Sequence, residues 1–522
     1  MLRRICLRYD RAVTLLECIR AEAAGEQRQI LVAANVAGIT NVLILASINA
    51  SAHDPESREL FDFVAFILLI GLYAVCARYS KRRITALIEA VLHRIKVRVG
   101  NRVAGTELAV LERVRAAEIC DVITENATLI SDRGPAIAGL AQSLVIMAFS
   151  AAYIAWLSPP AFALVALVCA VGAALFVGMR RDYVAYNQHS ARIRVTFLER
   201  LMDLLAGFKE IQFSRQRGRE VREDVLQASE ELRSVAVRAS DLLADGMLVG
   251  EAVLFALLAA VVFTLHSYVA LDARTLTHIV AAVMFLWGPF MGVAGGIMPY
   301  ARSNLALAQI FRMEKRLEQA TREGAPVGAL EDPWRGHVAR IEARQVEYAY
   351  EAEDGGERFR VGPLDLTIEA GALVFIVGGN GSGKSTLLKV LTGLYEASAG
   401  ELRVDGVPLR RENVHAYRDM VSAIFADFHL FARLYGLADV DDGAVSRLLV
   451  EMQLADKTSV VDRSFTTVAL STGQRKRLAM IVALLEARPI CVFDEWAADQ
   501  DPEFREYFYD RLLPRLRTQG KI

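Results

Sequence analysis

The stretch that decides the fold of one half of the chain is ALVFIVGGNGSGKSTLLKVLTGLY, residues 372–395. Its β-rich beginning at 372–377 leads into the pattern GxxxxGK[ST], and an apolar pattern with helical spacing follows. A glycine-rich loop between a strand and a helix can direct backbone N–H groups at phosphate oxygens, and the helix N-terminus adds a favourable dipole. Lys384 can then reach the β- and γ-phosphates of a nucleotide, and the Ser385 hydroxyl can bind Mg²⁺. The sequence therefore predicts a site for ATP with Mg²⁺.

The residues expected to hold the phosphates belong to this loop and to the first turn of the helix. They are Gly378, Gly379, Asn380, Gly381, Ser382, Gly383, Lys384, Ser385 and Thr386. The pattern also occurs by chance in unrelated proteins, but its place between a strand-like and a helix-like segment makes chance a poor explanation.

A second motif, VFDEWAADQDP at residues 492–502, ends an apolar run with two acids. Taken alone, the acids could simply mark the solvated end of a strand. With a phosphate loop upstream, Asp494 is expected to hold the Mg²⁺ shell, and Glu495 is expected to orient or deprotonate the attacking water as the catalytic base. Asp499 and Glu503 receive no role from this pattern.

A third motif, LSTGQRKRL at residues 470–478, lies between the first two. It resembles the LSGGQ signature of ATP-binding-cassette (ABC) proteins, with a threonine in place of the first glycine. A helix that begins there can present its N-terminus to a γ-phosphate. The resemblance implies that the signature contacts the ATP of a partner cassette through Leu470, Ser471, Thr472, Gly473 and Gln474.

The first half of the chain has the composition of a membrane protein. The 522 residues are 54% hydrophobic with a net charge of −1, and the mean hydropathy is +0.29. A chain this close to neutral carries no global basic field for nucleic acid, so no nucleic-acid partner is expected. Six apolar runs are long enough to cross a bilayer as helices. They lie at about 30–50, 61–79, 136–157, 161–179, 246–266 and 276–299.

Charge between the spans predicts their orientation. The basic segments LRRICLRYDR at 2–11 and RYSKRRI at 78–84 place the N-terminus and the long loops 80–135 and 180–245 in the cytoplasm. Those loops have helical apolar spacing, so the spans should extend into the cytoplasm as helices. Cleavage of the first span as a signal peptide remains an alternative, but its apolar run is long and begins late.

Two features inside the spans allow more than one interpretation. Glu251 lies in the fifth span, where a charge is costly and often functional, although it is near the cytoplasmic end. FLWGPFMGVAGG at 285–296 could kink or unwind the sixth span, or its small residues could allow close helix packing.

The predicted fold class is an all-α six-helix transmembrane domain fused to an α/β P-loop ATP-binding cassette. The transmembrane domain is assigned to residues 1–315, a polar Gly- and Pro-containing linker to 316–338, and the cassette to 339–522.

Weaker cassette elements follow from the family resemblance alone. IEARQVEYAY at 341–350 resembles the strand that carries the adenine-stacking aromatic, which implies Tyr350 with Tyr348 as the other candidate. Asp501 matches an aspartate that contacts the opposing subunit. Where the family has a Mg²⁺-contacting glutamine, this chain has Ala426 followed by Asp427, so Asp427 is a candidate metal ligand.

Six spans before one cassette resemble an ABC exporter half-transporter. The phrases FADFHLF, LSTGQRKRLAM and FDEWAADQDPEFREYFY resemble most the cyclic-peptide and siderophore-precursor exporters, which include the syringomycin, pyoverdine and microcin exporters of Gram-negative bacteria. The resemblance implies a multi-pass homodimer in the bacterial inner membrane with cytoplasmic cassettes. It would sandwich two ATP molecules and export a peptide-like secondary metabolite such as a cyclic peptide, lipopeptide or siderophore precursor.

Family cassettes carry a γ-phosphate-contacting histidine on a strand after the acidic motif. No histidine follows Asp494, and the sequence ends at LPRLRTQGKI, where that strand should begin. The expectation is a cassette truncated at its C-terminus, with unpaired sheet backbone, that binds ATP but hydrolyses it poorly. Robust ATPase activity of residues 1–522 that Glu495→Gln abolishes would contradict this expectation.

Two other functions remain open at this stage. The fold would also suit a lipid flippase, and the altered Ala426 position would suit a membrane-anchored ATP sensor without transport. An importer is disfavoured because importers generally keep membrane and cassette parts on separate chains.

Overall fold

A computed structural model describes residues 14–22, 27–51, 59–114, 116–265, 272–322, 332–351 and 357–522. The chain divides into two compact units. Unit 1 comprises residues 1–96 and 122–310, and unit 2 comprises residues 97–121 and 311–522.

Long helices dominate the first 322 residues, and short ones connect them. In chain order they are α1 (Leu15–Glu22), α2 (Gln27–Ser51), α3 (Glu59–Ala104), α4 (Leu108–Val114), α5 (Ala116–Leu157), α6 (Pro159–Ala206), α7 (Phe208–Gln212), α8 (Arg215–Ala259, extended by a π-turn over Ala260–Leu265) and α9 (Ala273–Arg322).

Local sequence explains several helix boundaries. Ser158 caps α6 by accepting a hydrogen bond from the Ala161 N–H at 3.4 Å, and Pro159 occupies the first helical position, where no N–H is needed. Ser214 caps α8 in the same way. The short turn between α5 and α6 is thus specified by the SPP sequence at 158–160.

Among the described residues, five helices are long and apolar enough to cross a membrane. The six predicted spans all overlap helices, including the fourth, 161–179. It lies in α6, whose apolar stretch in the described residues is Pro159–Gly172. The long helical extensions of the spans that the sequence predicts are present, most clearly in α3 and α8.

The spans of unit 1 pack through a shared apolar core. Its buried members include Leu45 of α2, Ile154 of α5 and Ile279 of α9. Small residues bring α9 close to α5: a Cβ added at Gly292 would lie 2.2 Å from Ser143 Oγ, and one at Gly296 would lie 2.5 Å from Leu140 Cβ. The small-residue segment of the sixth span therefore serves close packing, and α9 remains helical across it.

The start of the predicted linker is helical. Residues 316–322 belong to α9, which ends at Arg322, and the middle of the linker lies outside the described residues. Apolar residues at helical spacing continue past the span: Ile310, Met313 and Leu317 are all buried. The polar residues between them led the sequence analysis to begin the linker too early.

The cassette combines short sheets with helices. Its strands are β1 (Arg340–Glu351), β2 (Glu357–Glu369), β3 (Ala399–Val404), β4 (Val407–Pro408), β5 (Val421–Ile424), β6 (Val460–Val461), β7 (Ser464–Phe465) and β8 (Ile490–Phe493). Its helices are α10 (Lys384–Leu391), α11 (Val414–Arg418), α12 (Asp442–Glu451), α13 (Thr472–Glu486), α14 (Pro502–Tyr507) and α15 (Leu513–Thr518), with a 3₁₀ turn at Trp496–Asp499 and a π-turn at Phe508–Leu512.

Two sheets position the nucleotide site. The first is antiparallel with the order β2-β1-β3-β4, and the second pairs β5 with β8 in parallel. The free edge of β8 is met by the last residue: the Ile522 N–H donates to the Pro489 carbonyl at 2.9 Å, and the Cys491 N–H donates to the Ile522 carbonyl at 2.8 Å.

The strand predicted at 372–377 belongs to no sheet. Residues 373–377 make no backbone hydrogen bond with any other described residue, and Phe375 and Val377 are 61% and 88% exposed. A cavity of about 830 Å³ lies between this segment and β8. Because a strand needs a hydrogen-bonded neighbour about 4.8 Å away, the apolar run at 372–377 is not a strand, and the prediction of a strand there is wrong.

Candidate functional site

The phosphate loop turns into α10 at a position that only glycine can occupy. Gly383 has φ = +91° and precedes the first helical residue, Lys384. A Cβ at Gly383 would lie 2.4 Å from Val361 Cγ2 on β2. The left-handed backbone therefore turns the chain so that the first N–H groups of α10 face the loop.

Lys384 lies over its own loop. Its Nζ donates hydrogen bonds to the Gly378 carbonyl at 3.0 Å and to the Gly379 carbonyl at 2.9 Å. Ser385, the next residue, is exposed, and Thr386 is buried. The predicted phosphate ligands are thus together at one end of α10, with Asn380 and Gly381 exposed at the loop surface.

The two candidate adenine-stacking tyrosines have different surroundings. The Tyr350 hydroxyl lies 3.2 Å from Thr386 Oγ1, next to the phosphate loop. Tyr348 instead stacks on Tyr395, with ring centroids 4.7 Å apart. Phe359 of β2 lies 6.4 Å from the Tyr350 ring and is 39% exposed. The geometry favours Tyr350 and adds Phe359, which the sequence analysis missed because it lies outside the quoted motif.

Asp494 and Glu495 end β8 in two different environments. Asp494 is 5% exposed, and its N–H donates to the Ile424 carbonyl of β5 at 2.9 Å. Glu495 is exposed and has φ = +49°. Both line the cavity of about 830 Å³, which Lys384 and Asn380 also line. The fold therefore brings the predicted metal acid, the predicted base and the phosphate loop to one site.

The donor set at this site suits Mg²⁺. Ser385 would offer one hydroxyl and Asp494 one carboxylate, which are hard oxygen donors of the kind that Mg²⁺ prefers. Asp427, the low-ranked candidate, is exposed in the segment after β5. No group of three or more His, Cys, Asp and Glu residues in the described parts of the chain forms an all-protein metal site.

The signature motif begins α13 with a reciprocal capping box. The Gln474 N–H donates to Ser471 Oγ at 3.4 Å, and the Ser471 N–H donates to Gln474 Oε1 at 3.2 Å. The cap leaves the N–H groups of Thr472 and Gly473 pointing outward from the helix N-terminus. None of residues 470–474 is among the described residues that line the cavity with Lys384.

A buried lysine joins the signature helix to the catalytic segment, and the sequence analysis missed it. Lys476 is 3% exposed. Its Nζ donates to the Glu495 carbonyl at 2.7 Å and lies 2.6 Å from Asp499 Oδ2. In return, Trp496 Nε1 donates to the Lys476 carbonyl at 2.9 Å. These contacts hold the backbone around Glu495 and give Asp499 a structural role.

Four further contacts join the same two segments. Arg477 Nε donates to Gln500 Oε1 at 2.9 Å, and Gln500 Nε2 donates to the Gly473 carbonyl at 3.1 Å. Arg477 also pairs with Asp501 and lies over the Phe504 ring at 3.8 Å. Gly473 is required by this packing, since a Cβ there would lie 2.5 Å from the Asp499 carbonyl oxygen.

Asp501 caps α14 within its own chain. Its Oδ1 accepts a hydrogen bond from the Phe504 N–H at 2.8 Å. This backbone hydrogen bond, together with the Arg477 charge, lowers the pKa of the Asp501 carboxyl. Since the side chain stays 51% exposed, the intersubunit contact predicted from the resemblance remains a prediction.

Within unit 2, helix α4 packs against the cassette next to the cluster of Tyr348, Tyr350 and Tyr395. Glu112 accepts a hydrogen bond from Lys389 Nζ at 2.8 Å and another from the Tyr395 hydroxyl. Leu108 and Ala109 pack against the core that contains Tyr395. Burial, and then the Glu112 hydrogen bond, raises the pKa of Tyr395. The tip of loop 80–135 therefore reaches the cassette face behind α10.

Known proteins resemble this chain along nearly its whole length. The ABC transporter family model matches residues 361–498. The ATP-binding protein SyrD of Pseudomonas syringae pv. syringae is 31% identical over 516 residues, which cover 93% of this chain and 87% of that protein.

A partial sequence match and a solved structure extend the comparison. An ATP-dependent lipid A-core flippase of Methylococcus capsulatus is 32% identical over 195 residues, 35% of this chain and 32% of the flippase. A solved bacterial Atm1-family ABC exporter with ATP bound has the same fold, with a TM-score of 0.72 at 17% identity over 96% of this chain and 90% of that structure. The chain therefore belongs to the ABC transporters, as an ATP-hydrolysing, multi-pass exporter with its membrane domain and its cassette on one polypeptide.

Proposed function

We propose that the chain acts as a homodimer that uses ATP and Mg²⁺ to export a peptide-like secondary metabolite from the cytoplasm across the bacterial inner membrane. The observation that carries the catalytic part is the convergence of Lys384, Asp494 and Glu495 on one cavity at the end of β8. The signature Ser471–Gln474 lies outside that cavity. This arrangement supports a dimer in which each signature serves the nucleotide of the other subunit.

The residues have distinct parts in this proposal. Lys384 and the loop N–H groups bind the phosphates, and Ser385 and Asp494 would hold Mg²⁺, which supplies charge neutralisation at the β- and γ-phosphates when bound. Glu495 orients a water and accepts its proton. Tyr350 stacks on the adenine ring of ATP, with Phe359 as a second aromatic contact.

Residues 207–214 provide further support for a dimer. The turn around α7 (Phe208–Gln212) exposes Phe208 by 54% and Phe213 by 92%. Aromatic side chains that exposed at the tip of two long helices are typical of a contact surface. We infer that this tip contacts the cassette of the second subunit, while α4 contacts its own cassette.

The cargo class rests on the resemblance to peptide exporters in the phrases around the signature and acidic motifs. The similarity to SyrD over 93% of this chain supports the same cargo class. A lipid flippase is the second candidate, supported by the partial similarity to lipid A-core flippases. The basic segment at 78–84 supports cytoplasmic cassettes.

ATP-dependent uptake into inside-out membrane vesicles separates the candidates. We expect uptake of an acylated cyclic peptide, and loss of that uptake with Glu495→Gln at unchanged protein level. Uptake of neither peptide nor lipid with intact ATP hydrolysis would refute transport and favour the ATP-sensing alternative. Movement of a labelled lipid alone would assign the flippase function.

A further inference from the structure

Unit 1 contains a cavity of about 380 Å³ between α5, α6, α8 and α9. This volume is in the range of sites that hold small molecules. Its lining is apolar except for two arginines, Arg133 on α5 and Arg302 on α9. Glu251, the acid of the fifth span, is exposed and does not line the cavity.

Small residues create the space. A Cβ added at Gly246 of α8 or at Gly295 of α9 would meet no atom within 4 Å. These two glycines therefore differ from Gly292 and Gly296, which bring α9 into contact with α5. The helix face that carries Gly295 borders a hollow, so close helix packing does not account for this glycine.

Three methionines, Met247, Met291 and Met298, contribute to the apolar lining together with Phe290. Methionine side chains are flexible and polarizable, and surfaces rich in them accept apolar groups of varied shape. This composition suits a flexible chain such as an acyl tail more than one rigid ring system.

The two arginines lie at one level of the fold. Arg133 precedes the predicted span 136–157, and Arg302 follows the predicted span 276–299. Both are therefore at the predicted cytoplasmic margin, where long cationic side chains can reach the interface. Guanidinium groups bind carboxylate and phosphate in a bidentate geometry, and two of them at one small apolar cavity favour an anion.

We propose that this cavity binds an amphipathic anion, with its carboxylate or phosphate held by Arg133 and Arg302 and its apolar chain against the methionines. The proposal deepens the proposed function, on which it rests for its role in transport, by naming the substrate class as an anionic acylated molecule. Binding itself can be measured without transport, so the two proposals can fail separately.

The test uses the full chain in phosphatidylcholine nanodiscs and equilibrium dialysis of labelled N-dodecanoylglycine. Its uncharged partner, N-dodecanoylglycinamide, has the same tail, and empty nanodiscs give the background from the bilayer. We expect the carboxylate to bind about tenfold more tightly than the amide, as a charge-assisted contact supports. Equal affinities would overturn the proposal without any substitution, so the test does not depend on a variant that folds.

Variants locate the site. Arg133→Gln and Arg302→Gln should each lower carboxylate affinity about tenfold and leave the amide unchanged. The exposed Arg238→Gln on α8 is the charge control. Gly295→Leu should abolish binding of both ligands, because the leucine fills the cavity. Gly288→Leu, on the same helix and equally free of neighbours within 4 Å, should bind as wild type. Wild-type binding by Gly295→Leu would place the ligand elsewhere and refute the site.

Dodecyl phosphate distinguishes the source of the head group. Tighter binding of the phosphate than of the carboxylate supports a lipid-like cargo, and the reverse supports an acylated peptide. If selective binding is found but vesicles transport no cargo, the cavity stands and the exporter proposal fails. If vesicles transport an acylated peptide but binding shows no charge selectivity, the exporter proposal stands and the cavity proposal fails.

Discussion

The nucleotide site has two sides that differ in how they are held. Side-chain hydrogen bonds tie the acidic segment after β8 to helix α13, whereas the segment that leads into the phosphate loop has few such contacts. On the acidic side, buried Lys476 and Trp496 link α13 to the segment after β8. On the other side, residues 373–377 make no backbone hydrogen bond with another described residue. The backbone of Glu495, the proposed base, is thus held by these contacts, while the phosphate loop takes much of its support from Lys384 and from α10. We expect changes on the two sides to affect different steps.

The largest contrast is expected between Glu495→Gln and Lys384→Ala. Glu495→Gln should lower the ATP turnover that the chain retains by about 10²–10⁴-fold, the usual contribution of a general base, and leave nucleotide affinity nearly unchanged. Lys384→Ala should instead weaken binding, because it removes the cation that faces the phosphates. Phosphate release and fluorescent-nucleotide binding measure the two effects. Equal loss of nucleotide binding in both variants would contradict the assignment of turnover to Glu495 and of phosphate binding to Lys384.

Removal of the buried tether tests whether it positions the base. Lys476→Met should lower kcat by up to about 100-fold through misplacement of Glu495, with little change in the KM for ATP. Lys476→Arg should restore part of kcat because it keeps a donor, and exposed Lys457→Met is the matched control. A lower Tm with unchanged kcat would show that the tether is only structural.

Two glycines have opposite steric surroundings and can be compared directly. Gly473→Ala places a Cβ 2.5 Å from the Asp499 carbonyl oxygen, whereas a Cβ at Gly379 meets nothing within 4 Å. Overpacking at Gly473 should cost about 1–3 kcal/mol of unfolding free energy, and Gly379→Ala should cost less than about 0.5 kcal/mol. Urea unfolding of the full chain without nucleotide measures both. A larger cost at Gly379 would reverse the comparison.

The smallest expected effect concerns the cap at Asp501. Its pKa is lowered in the folded chain, mainly by the Phe504 N–H and then by Arg477. The stabilisation is therefore present above the unfolded pKa of about 3.9 and is lost as pH falls through the lower folded value. Asp501→Asn should cost about 0.5–1 kcal/mol at pH 7, discounted for solvent exposure.

Tryptophan fluorescence during urea unfolding, repeated from pH 7 downward, checks this sign. The difference between wild type and Asp501→Asn should narrow once the pH is below about 3.9. A difference that widens with acid would mean that Asp501 is not held as a carboxylate.

Motifs with fixed spacing were predictable from the sequence, because their chemistry depends on neighbouring residues. Lys384, Asp494 and Glu495 line one cavity, as the phosphate-loop and acidic motifs together predict. The contacts of Lys476 and Arg477 were not predictable from the sequence, since they join residues about twenty positions apart. They also depend on a turn in which the Glu495 backbone is left-handed, and no sequence pattern indicates that conformation.

The strand prediction failed where a neighbouring backbone decides the outcome. The run at 372–377 has the composition of a strand, but pairing depends on a second backbone that periodicity does not reveal.

The carboxylate of Glu314 has a mechanical consequence. It is fully buried on α9, where Arg98 of α3 donates two hydrogen bonds to it, and Arg102 Nη1 donates to the Glu314 carbonyl at 2.9 Å. Helix α3 leads to α4 on the cassette, and α9 leads into β1, so both chain connections are braced at one point. Because Glu314 joins the two helices here, a shift of one helix at this point should move the other with it.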